Sequence, residues 1–518
     1  MPEPDKPVIT MSLLRGKSNE MFLRLWVRAP RIRINSIMLL RKLGQPVNIR
    51  NYFDFIQTIM QISEKMPASE LKASISLASI YGLRMLGMFL ILPIFAIYAT
   101  QYQGGANSML VGAALGAYGL TQALFQLPFG MASDKFGRKK MIYIGLLMLI
   151  IGSIIAAMAT DISMVILGRA VQGAGAVSAV VTALLADLTR EEHRTKAMAM
   201  IGATIGVTFA ISLVLGPTIA HWAGIAGIFW LTAVLASLAI LVVKFVVPNP
   251  IVSHFHSDAS AAPTKLKDVL KNTQLLRLNY GIFALHAAQM AMFIVVPFAI
   301  QKTSSLDVNH HWQVYLPILL GSFMLMIPAI IVGEKRNKLK PVFIAAVALM
   351  LVAQLCFASL ITSFWGIIFS LFAYFVAFNI LEASLPSLIS KLAPAAAKGT
   401  AMGVYNTSQS LGVAVGGLAG GYLAHHYSYS VVFMFCAVLM SIWLLLTFSM
   451  KTPPSVKTKM YHLGETNDMQ ATTLSKTISA LPYVHEAIAI AKEGILIVKI
   501  KNQAVWDEQE ILDMIGSR

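Results

Sequence analysis

The sequence predicts an all-α membrane protein of twelve transmembrane helices in two six-helix halves, followed by a small α+β domain. Of its 518 residues, 57% are hydrophobic and 13% are charged, a composition that excludes an ordinary soluble chain. Residues 88–93 recur as 292–297, and residues 194–198 recur as 398–402 at the same spacing. A repeat of this kind indicates a duplicated unit, which is a common construction among secondary transporters.

Twelve stretches of roughly 20 apolar residues, the length that crosses the hydrocarbon layer, define the predicted spans. They are 75–99, 108–131, 141–159, 163–187, 196–221, 225–247, 277–300, 311–333, 341–361, 364–389, 400–424 and 429–449. The predicted domains are therefore a first half at 66–247, a cytoplasmic linker at 248–275 and a second half at 276–450. The basic extension 1–65 lacks a clear membrane span, and we expect it to be disordered or to precede the true start at Met66.

The predicted orientation follows from the loops. Lys and Arg are concentrated in the short connections after the second, fourth, eighth and tenth spans, whereas the alternate connections carry little beyond Lys302. Because Lys and Arg are retained on the cytoplasmic side, we expect both termini to be cytoplasmic and the protein to lie in the inner (plasma) membrane. The net charge of +17 then reflects topology and attraction to anionic lipid, and its spread over several loops argues against nucleic-acid binding.

Several segments resemble the motifs of one transporter family. Residues 130–140, which contain Gly130, Asp134, Gly137 and Arg138, resemble motif A of the major facilitator superfamily, and residues 167–175 resemble its motif B. Gly216 and Pro217 resemble the core of its antiporter motif, although Ala220 and His221 stand where a glycine pair is usual. Residues 83–89 and 381–388 resemble the YajR-type drug:proton antiporters of that family. The resemblance covers about 67–518 and implies the major facilitator fold.

The YajR-type proteins carry a small cytoplasmic domain at the C-terminus, and residues 456–518 resemble it. Predicted strands at 460–465, 484–491 and 495–501 alternate with helices at 471–480 and 506–515, in the order β-α-β-β-α. This order resembles a ferredoxin-like fold whose last strand is short or absent. The domain has no cysteine, so we expect it not to transfer metal ions. Three roles for 456–518 remain as alternatives: dimerisation, regulation, or an appendage without a function.

Motif A has a physical basis at this position. Gly130 and Gly137 allow close helix approach and a sharp turn, while Asp134 and Arg138 can pair with charges on neighbouring helices. Asp187, at the end of the fourth span, is the expected third member. The resemblance implies that these residues latch the two halves together in one conformation. The alternative is that Asp134 and Arg138 only mark a cytoplasmic loop.

Ionisable residues within the spans are expensive to bury and indicate a transport pathway. Four stand out: Arg84, Arg169, His286 and Glu382. Polar residues share a helical face with them or with each other, namely Gln172, Gln289, Asn379, the pair Gln122 and Gln126, and the pair Tyr405 and Gln409. We expect these stripes to face one water-filled cavity that forms the substrate and proton pathway.

Glu382 is the preferred proton carrier. Burial raises the pKa of a carboxyl group and a nearby cation lowers it, so the two effects together can bring that pKa close to neutral pH. His286 is the alternative carrier. The family resemblance implies that Arg169, the motif B arginine, assists proton transfer. Two structural readings stay open: Glu382 and Arg84 could form a static ion pair, and His286 could be a helix-packing residue.

The expected function is a proton-coupled secondary transporter that exports small organic compounds or drugs by alternating access, with protons, a small-molecule substrate and lipid as partners. The alternatives are an organic-anion or sugar transporter of the same fold, or a membrane sensor that signals through the C-terminal domain. No nucleotide loop, metal cluster or nucleophile arrangement occurs in the sequence, so we expect neither an enzyme nor a cofactor or metal. Cys356 and Cys436 both lie in apolar spans, where we expect them to pack rather than to form a disulfide.

Overall fold

A computed structural model describes residues 66–189, 191–249, 263–335, 338–394, 397–451, 456–463, 466–491, 494–501 and 506–516. The predicted extension 1–65 and residues 250–262 of the predicted linker lie outside the described residues. The first helical half comprises α1 (Ala68–Phe89), α2 (Phe95–Tyr98), α3 (Ser108–Phe136), α4 (Arg138–Ala157), α5 (Ile162–Ala174), α6 (Ser178–Leu188) and α7 (Glu191–Phe245).

A short helix, α8 (Pro263–Lys271), precedes the second half. That half comprises α9 (Thr273–Thr303), α10 (Trp312–Lys335), α11 (Leu339–Leu360), α12 (Phe364–Leu392), α13 (Lys398–His426) and α14 (Tyr429–Phe448). The C-terminal domain contains β1 (Val456–His462), α15 (Asp468–Ser479), β2 (Val484–Ile490), β3 (Ile495–Lys501) and α16 (Glu508–Gly516).

Within the described residues, nine helices are long and apolar enough to cross a membrane. One of them runs from residue 196 to residue 245 and contains Gly224, whose φ of 65° breaks the helix, so it covers two predicted spans. Two further predicted spans coincide with α1 and α13, which fall outside the nine because α1 is interrupted and α13 is rich in glycine and polar residues. An all-α membrane fold is confirmed, while the count of twelve spans stays a prediction.

Two predicted spans are divided in the structure. The span expected at 75–99 ends as a helix at Phe89 and resumes at Phe95, because Pro93 cannot donate a backbone hydrogen bond to continue it. The span expected at 163–187 is interrupted after Ala174. There Gly175 approaches Gly145 so closely that a Cβ atom at Gly175 would collide with the Gly145 carbonyl oxygen. This break starts a new helix at Ser178, in the interior of the bundle.

The two halves meet most closely along α3 and α13. A Cβ atom at Gly417 would lie 2.7 Å from the carbonyl oxygen of Gly112, and one at Gly421 would lie 2.5 Å from that of Ser108. Such contacts bring backbone against backbone, which only glycine permits. They lie in the half of α3 that is remote from motif A. We call the end of the bundle that holds Asp134 and Arg138 the motif A end, and the opposite end the far end.

The C-terminal domain is a three-stranded antiparallel sheet in the order β1-β3-β2. Leu496, Val498 and Ile500 alternate along β3 and pack with α15 and α16 into one core. Burial and the neighbouring Glu510 carboxylate raise the pKa of Tyr483 to about 12, so its hydroxyl stays protonated and donates to Glu510 across 2.6 Å. This arrangement fits the predicted ferredoxin-like fold.

The first strand of this domain differs from its prediction. It was expected at 460–465 but spans Val456–His462, where it pairs with β3 along its full length. Lys457 and Lys459 interrupt the apolar pattern in its first half, which is why the sequence signal begins too late. Pairing with a central strand outweighs the weak β-propensity of lysine here.

Candidate functional site

Arg84 is the first of the predicted pathway residues and lies in α1, where 2% of its surface is exposed. Its Nη1 donates to Ser178 Oγ over 2.9 Å, and its Nη2 donates to Tyr118 Oη over 2.6 Å. Ser178 is available because α6 begins there, after the break at Gly175. The guanidinium is therefore fixed by neutral hydroxyl groups from two other helices.

Arg169, in α5, is also buried and shares Tyr118 with Arg84. Its guanidinium lies over the face of the Tyr118 ring, 4.6 Å from the ring centroid, in a cation–π contact. Its Nη1 donates to Gln172 Oε1 over 2.9 Å, and Gln172 in turn donates to Ser153 Oγ over 2.8 Å. We call Arg84, Tyr118, Arg169, Gln172 and Ser178 the first-half cluster.

Neither arginine of this cluster forms an ion pair within the residues that the structure describes. The Nε atoms of Arg84 and Arg169 are buried without a hydrogen-bond partner there. Arg84 therefore does not form the static pair with Glu382 that the sequence left open. Two positively charged guanidinium groups are thus held inside the first half by hydroxyl, amide and ring contacts, and each retains an N–H donor that could bind a further acceptor.

His286 and Glu382 come together in the second half, from α9 and α12. The distance from His286 Nε2 to Glu382 Oε2 is 3.9 Å. His286 Nε2 is 2.7 Å from the amide nitrogen of Gln409 on α13, and His286 Nδ1 is 3.3 Å from the carbonyl oxygen of Ile282. We call His286, Glu382 and Gln409 the second-half cluster.

The contacts of His286 assign its tautomer. A backbone carbonyl only accepts, so Nδ1 must carry the hydrogen that bonds to Ile282. With the Gln409 amide nitrogen facing the ring, Nε2 must accept. His286 is therefore held as a neutral imidazole whose lone pair is occupied by Gln409.

Glu382 supplies the carboxyl group of the second-half cluster. Its side chain is 37% exposed although it lies within the helical bundle, and its buried Oε2 has no hydrogen-bond partner among the described residues.

The remaining predicted pathway residues divide into three groups. Gln126 is 1% exposed, has no partner for its amide among the described residues, and lines a crevice with Gly399, Met402 and Asn406 at the motif A end. Asn379 does not reach Glu382 but donates to Ser322 Oγ over 2.7 Å. Gln122, Gln289 and Tyr405 are buried or half-buried. Among the described residues they form no hydrogen bond to either cluster, and the Tyr405 hydroxyl has no hydrogen-bond partner.

Motif A forms a compact charged group. Arg138 pairs with Asp134 four residues earlier, reaches Asp187 Oδ2 over 3.2 Å, and donates to Ser133 Oγ over 2.6 Å. Gly137 has a φ of 96°, which a side chain would disfavour, so the sharp turn expected there is present. The close helix approach expected at Gly130 is absent, because a Cβ atom there would make an ordinary 3.6 Å contact with Ala179.

The antiporter-motif residues lie in α7 against the end of α1. A Cβ atom at Gly216 would lie 2.5 Å from the carbonyl oxygen of Leu90, so this position requires glycine. Pro217 is accommodated within the same helix. Ala220, which stands where the motif has a glycine, is 2% exposed and belongs to a buried apolar cluster whose members come from both halves.

An aromatic layer separates the clusters from the far end. Phe209 of α7 contacts Phe89 of its own half, with ring centroids 5.2 Å apart. It also contacts Phe293 and Phe375 of the second half, at 6.4 Å and 6.3 Å. Sequence reasoning missed this layer and Tyr118, because aromatic residues in an apolar helix are usually packing residues.

Comparison with known proteins agrees with this architecture. The family model described as Major Facilitator Superfamily matches residues 77–415 and 319–477. The chain is 45% identical over 392 residues to the inner membrane transport protein YajR of Escherichia coli, covering 76% of this chain and 86% of the relative. It is 28% identical to multidrug resistance protein 2 of Bacillus subtilis, covering 71% and 92%.

Solved structures of low sequence identity share the fold. The nucleoside transporter NupG gives a TM-score of 0.58 at 15% identity, covering 73% of this chain and 98% of NupG. The human organic anion transporter TETRAN gives 0.55 at 16% identity, covering 74% and 100%. At these identities the likeness concerns the fold alone.

Proposed function

Because the chain belongs to the major facilitator superfamily, we propose that it is a proton-coupled transporter that exports small organic compounds by alternating access. Several helices cross the membrane, and the Escherichia coli relative is named an inner membrane transport protein. The observation that carries the proposal is the carboxyl group of Glu382, which is 37% exposed inside the bundle and whose Oε2 has no hydrogen-bond partner among the described residues. An ionisable group in such a place marks a proton or substrate pathway.

Glu382 is a better proton carrier than His286 in this geometry. To take up a proton at Nε2, His286 must lose the hydrogen bond from Gln409, or Gln409 must turn its amide oxygen toward the ring. Glu382 Oε2 can take up a proton without breaking any hydrogen bond among the described residues. At 3.9 Å from Glu382 Oε2, His286 Nε2 is within ion-pair distance but beyond hydrogen-bond distance, so a protonated His286 would stabilise an ionised Glu382 by charge.

Antiport follows if the compound and the proton compete for the same carboxylate. A cationic compound gains most from Glu382 when the carboxylate is ionised, so its binding opposes protonation. Rocking of the halves about the clusters would then expose Glu382 to one side at a time. The multidrug resistance protein among the relatives supports an organic compound as the exchanged solute.

Organic-anion transport is the second candidate, and one observation favours it. Arg84 and Arg169 have no carboxylate partner in the described part of the chain, so an anionic group on a compound could supply one. An anion binds better when Glu382 is neutral, so its coupling to protons has the opposite sign from that of a cation. The direction of proton flux therefore distinguishes the two candidates.

Motif A is proposed as the latch of this cycle. Arg138 joins Asp134 on α3 to Asp187 on α6 within the first half, and it lines the crevice across from the first turn of α13. The N-terminal end of α13 carries a positive helix dipole that a carboxylate of this group can approach when the halves close there. We propose that the motif A end faces the cytoplasm, with both termini on that side.

The test is proton flux in proteoliposomes with an imposed pH gradient and a pH-sensitive dye inside. Cationic, neutral and anionic compounds are added to wild type, to Glu382→Gln, and to Asp513→Asn as a matched control in the exposed part of α16. We expect compound-dependent proton flux that is lost in Glu382→Gln and retained in Asp513→Asn. Wild-type flux in Glu382→Gln would remove Glu382 from the pathway, and proton movement in the same direction as an anion would favour the second candidate.

A further inference from the structure

The far end of the bundle is closed by residues from both halves. Leu90 and Ile94, which link α1 to α2, form a buried apolar cluster with Ala220 and Ile228 of α7 and with Val308 from the connection between α9 and α10. Among the residues that the structure describes, Val308 is the only buried member of this cluster from the second half, and it is 8% exposed. We call these five residues the far seal.

A hydrogen-bonded bridge lies beside the far seal. Asn309 Nδ2 is 2.9 Å from His221 Nδ1, and Tyr98 Oη is 3.3 Å from Asn309 Oδ1. Because the Tyr98 hydroxyl donates to the amide oxygen, the amide nitrogen donates to His221. Asn309 of the second half is therefore held by two residues of the first half, next to the point where Val308 inserts.

The two residues that depart from the antiporter motif both take part in this closure. Ala220 contributes its methyl group to the far seal, and His221 provides the acceptor for Asn309. Glycines at these positions could make neither contact, since glycine has no side chain. The departure that weakens the motif match thus adds a methyl group to the far seal and one hydrogen bond across the halves.

We propose that the far seal and the His221–Asn309 bridge form the gate at the far end, and that Asn309 and Val308 must leave the first half for that end to open. This inference rests on the alternating-access cycle of the proposed function. The gate is apolar at its centre and hydrogen-bonded at its rim. The apolar centre excludes water, and opening requires only the apolar contacts and the rim hydrogen bonds to separate. The titratable groups near its rim are Tyr98, His221, Asp307, His310 and His311.

The gate can be tested without knowing the compound. Ala220→Cys is introduced into the full-length chain with Cys356→Ala and Cys436→Ala, and the protein is reconstituted in both orientations. Because Ala220 is 2% exposed, reaction of this cysteine with a membrane-impermeant maleimide reports opening of the far seal. The labelling rate is compared between this parent, Asn309→Ala, Val308→Ala and His310→Ala. His310 is exposed and follows Asn309 in the same turn, so it is the matched control.

We expect Asn309→Ala and Val308→Ala to raise the labelling rate by roughly 2- to 10-fold, since one hydrogen bond or a few methyl contacts shift a two-state equilibrium by about that factor. His310→Ala should label at the parent rate. Equal rates for Asn309→Ala and the parent, or an equal increase in His310→Ala, would overturn the proposal. The same series with Ile94→Cys, whose parent residue is 0% exposed, covers the case in which Ala220→Cys does not fold.

Loss of proton flux and failure of the gate are separable in this design. A protein that labels as expected but transports none of the tested compounds retains the gate, and only the proposed function is then in question. A protein with compound-dependent flux and unaltered labelling retains the function but not this gate.

Discussion

Tyr118 joins the two buried arginines through different parts of one side chain. Its hydroxyl group accepts a hydrogen bond from Arg84, and its ring face makes the cation–π contact with Arg169. Replacing the ring would disturb both arginines, whereas removing only the oxygen disturbs one. This division allows the contribution of Arg84 to be measured separately from that of Arg169.

Tyr118→Phe should lower compound-dependent proton flux by about tenfold, because Arg84 Nη2 loses its acceptor and a hydrogen bond to a charged group stabilises by about 1.5–3 kcal/mol. The cation–π contact of Arg169 is retained in this variant. Flux and thermal unfolding are measured together, with Tyr427→Phe, at a tyrosine that is 64% exposed, as the matched control. Wild-type flux in Tyr118→Phe would mean that the position of Arg84 does not matter.

The sequence locates the ionisable residues of the spans, while their roles in a pathway stay a prediction. Arg84, Arg169, His286 and Glu382 all lie inside the bundle, because charges in apolar helices have few places to go. Their partners were harder to predict. Asn379 has the helical spacing to meet Glu382 but bonds to Ser322 on α10, since spacing fixes a face and not the neighbour across it.

At the scale of helices, glycine positions in α13 and α7 behave differently in this conformation. In α13, a side chain at Gly417 would press on the backbone of α3, whereas Gly202 and Gly206 in α7 have nothing within 4 Å of an added Cβ atom. Composition alone does not distinguish these positions, because all are small residues in apolar helices. The difference arises from which helix faces are in contact.

Gly417→Ala and Gly206→Ala therefore form a matched pair. Overpacking a close contact costs about 1–3 kcal/mol, so Gly417→Ala should shift the protein away from the conformation closed at the far end, while Gly206→Ala should not. The measurement is maleimide labelling of Ala220→Cys, which should become faster in Gly417→Ala only. Equal labelling in both variants would show that α3 and α13 tolerate the extra methyl group without separating.

Helix boundaries show where the sequence signal ends. Apolar length predicts where a span lies, but it does not report an interruption such as the one between α5 and α6, which depends on Gly175 meeting Gly145 on another helix. Pro93 was visible in the sequence, yet its repeat partner Pro297 lies inside the unbroken α9. Proline thus ends one helix and is accommodated within another, because the contacts with neighbouring helices determine whether the helix continues.

At the scale of the whole molecule, the C-terminal domain contacts the helical bundle through Lys499. This residue is 5% exposed, pairs with Glu486 Oε2 over 2.7 Å, and donates to the carbonyl oxygen of Ala393 over 2.9 Å. Ala393 follows the last turn of α12, where a cation is favoured by the helix dipole. The domain is therefore attached to the helix that carries Glu382.

Lys499→Met should loosen this attachment, because the carbonyl of Ala393 loses its donor. Amide hydrogen exchange at Ala393 and in the first turn of α13 should become faster, as expected for a segment that opens locally more often. Glu486→Gln is the matched control, since it removes the ion pair and leaves the bond to Ala393. Unchanged exchange in Lys499→Met would show that the contact contributes nothing to the order of this segment.

The direct backbone contact of α3 with α13 has a consequence for bioenergetics. Because no side chain separates Gly112 from Gly417, the interface offers few polar groups to support a file of water molecules. Protons cannot hop along a route that has no hydrogen-bonded chain. In the proton-coupled transporter proposed above, this interface would therefore give protons no leak path between turnovers.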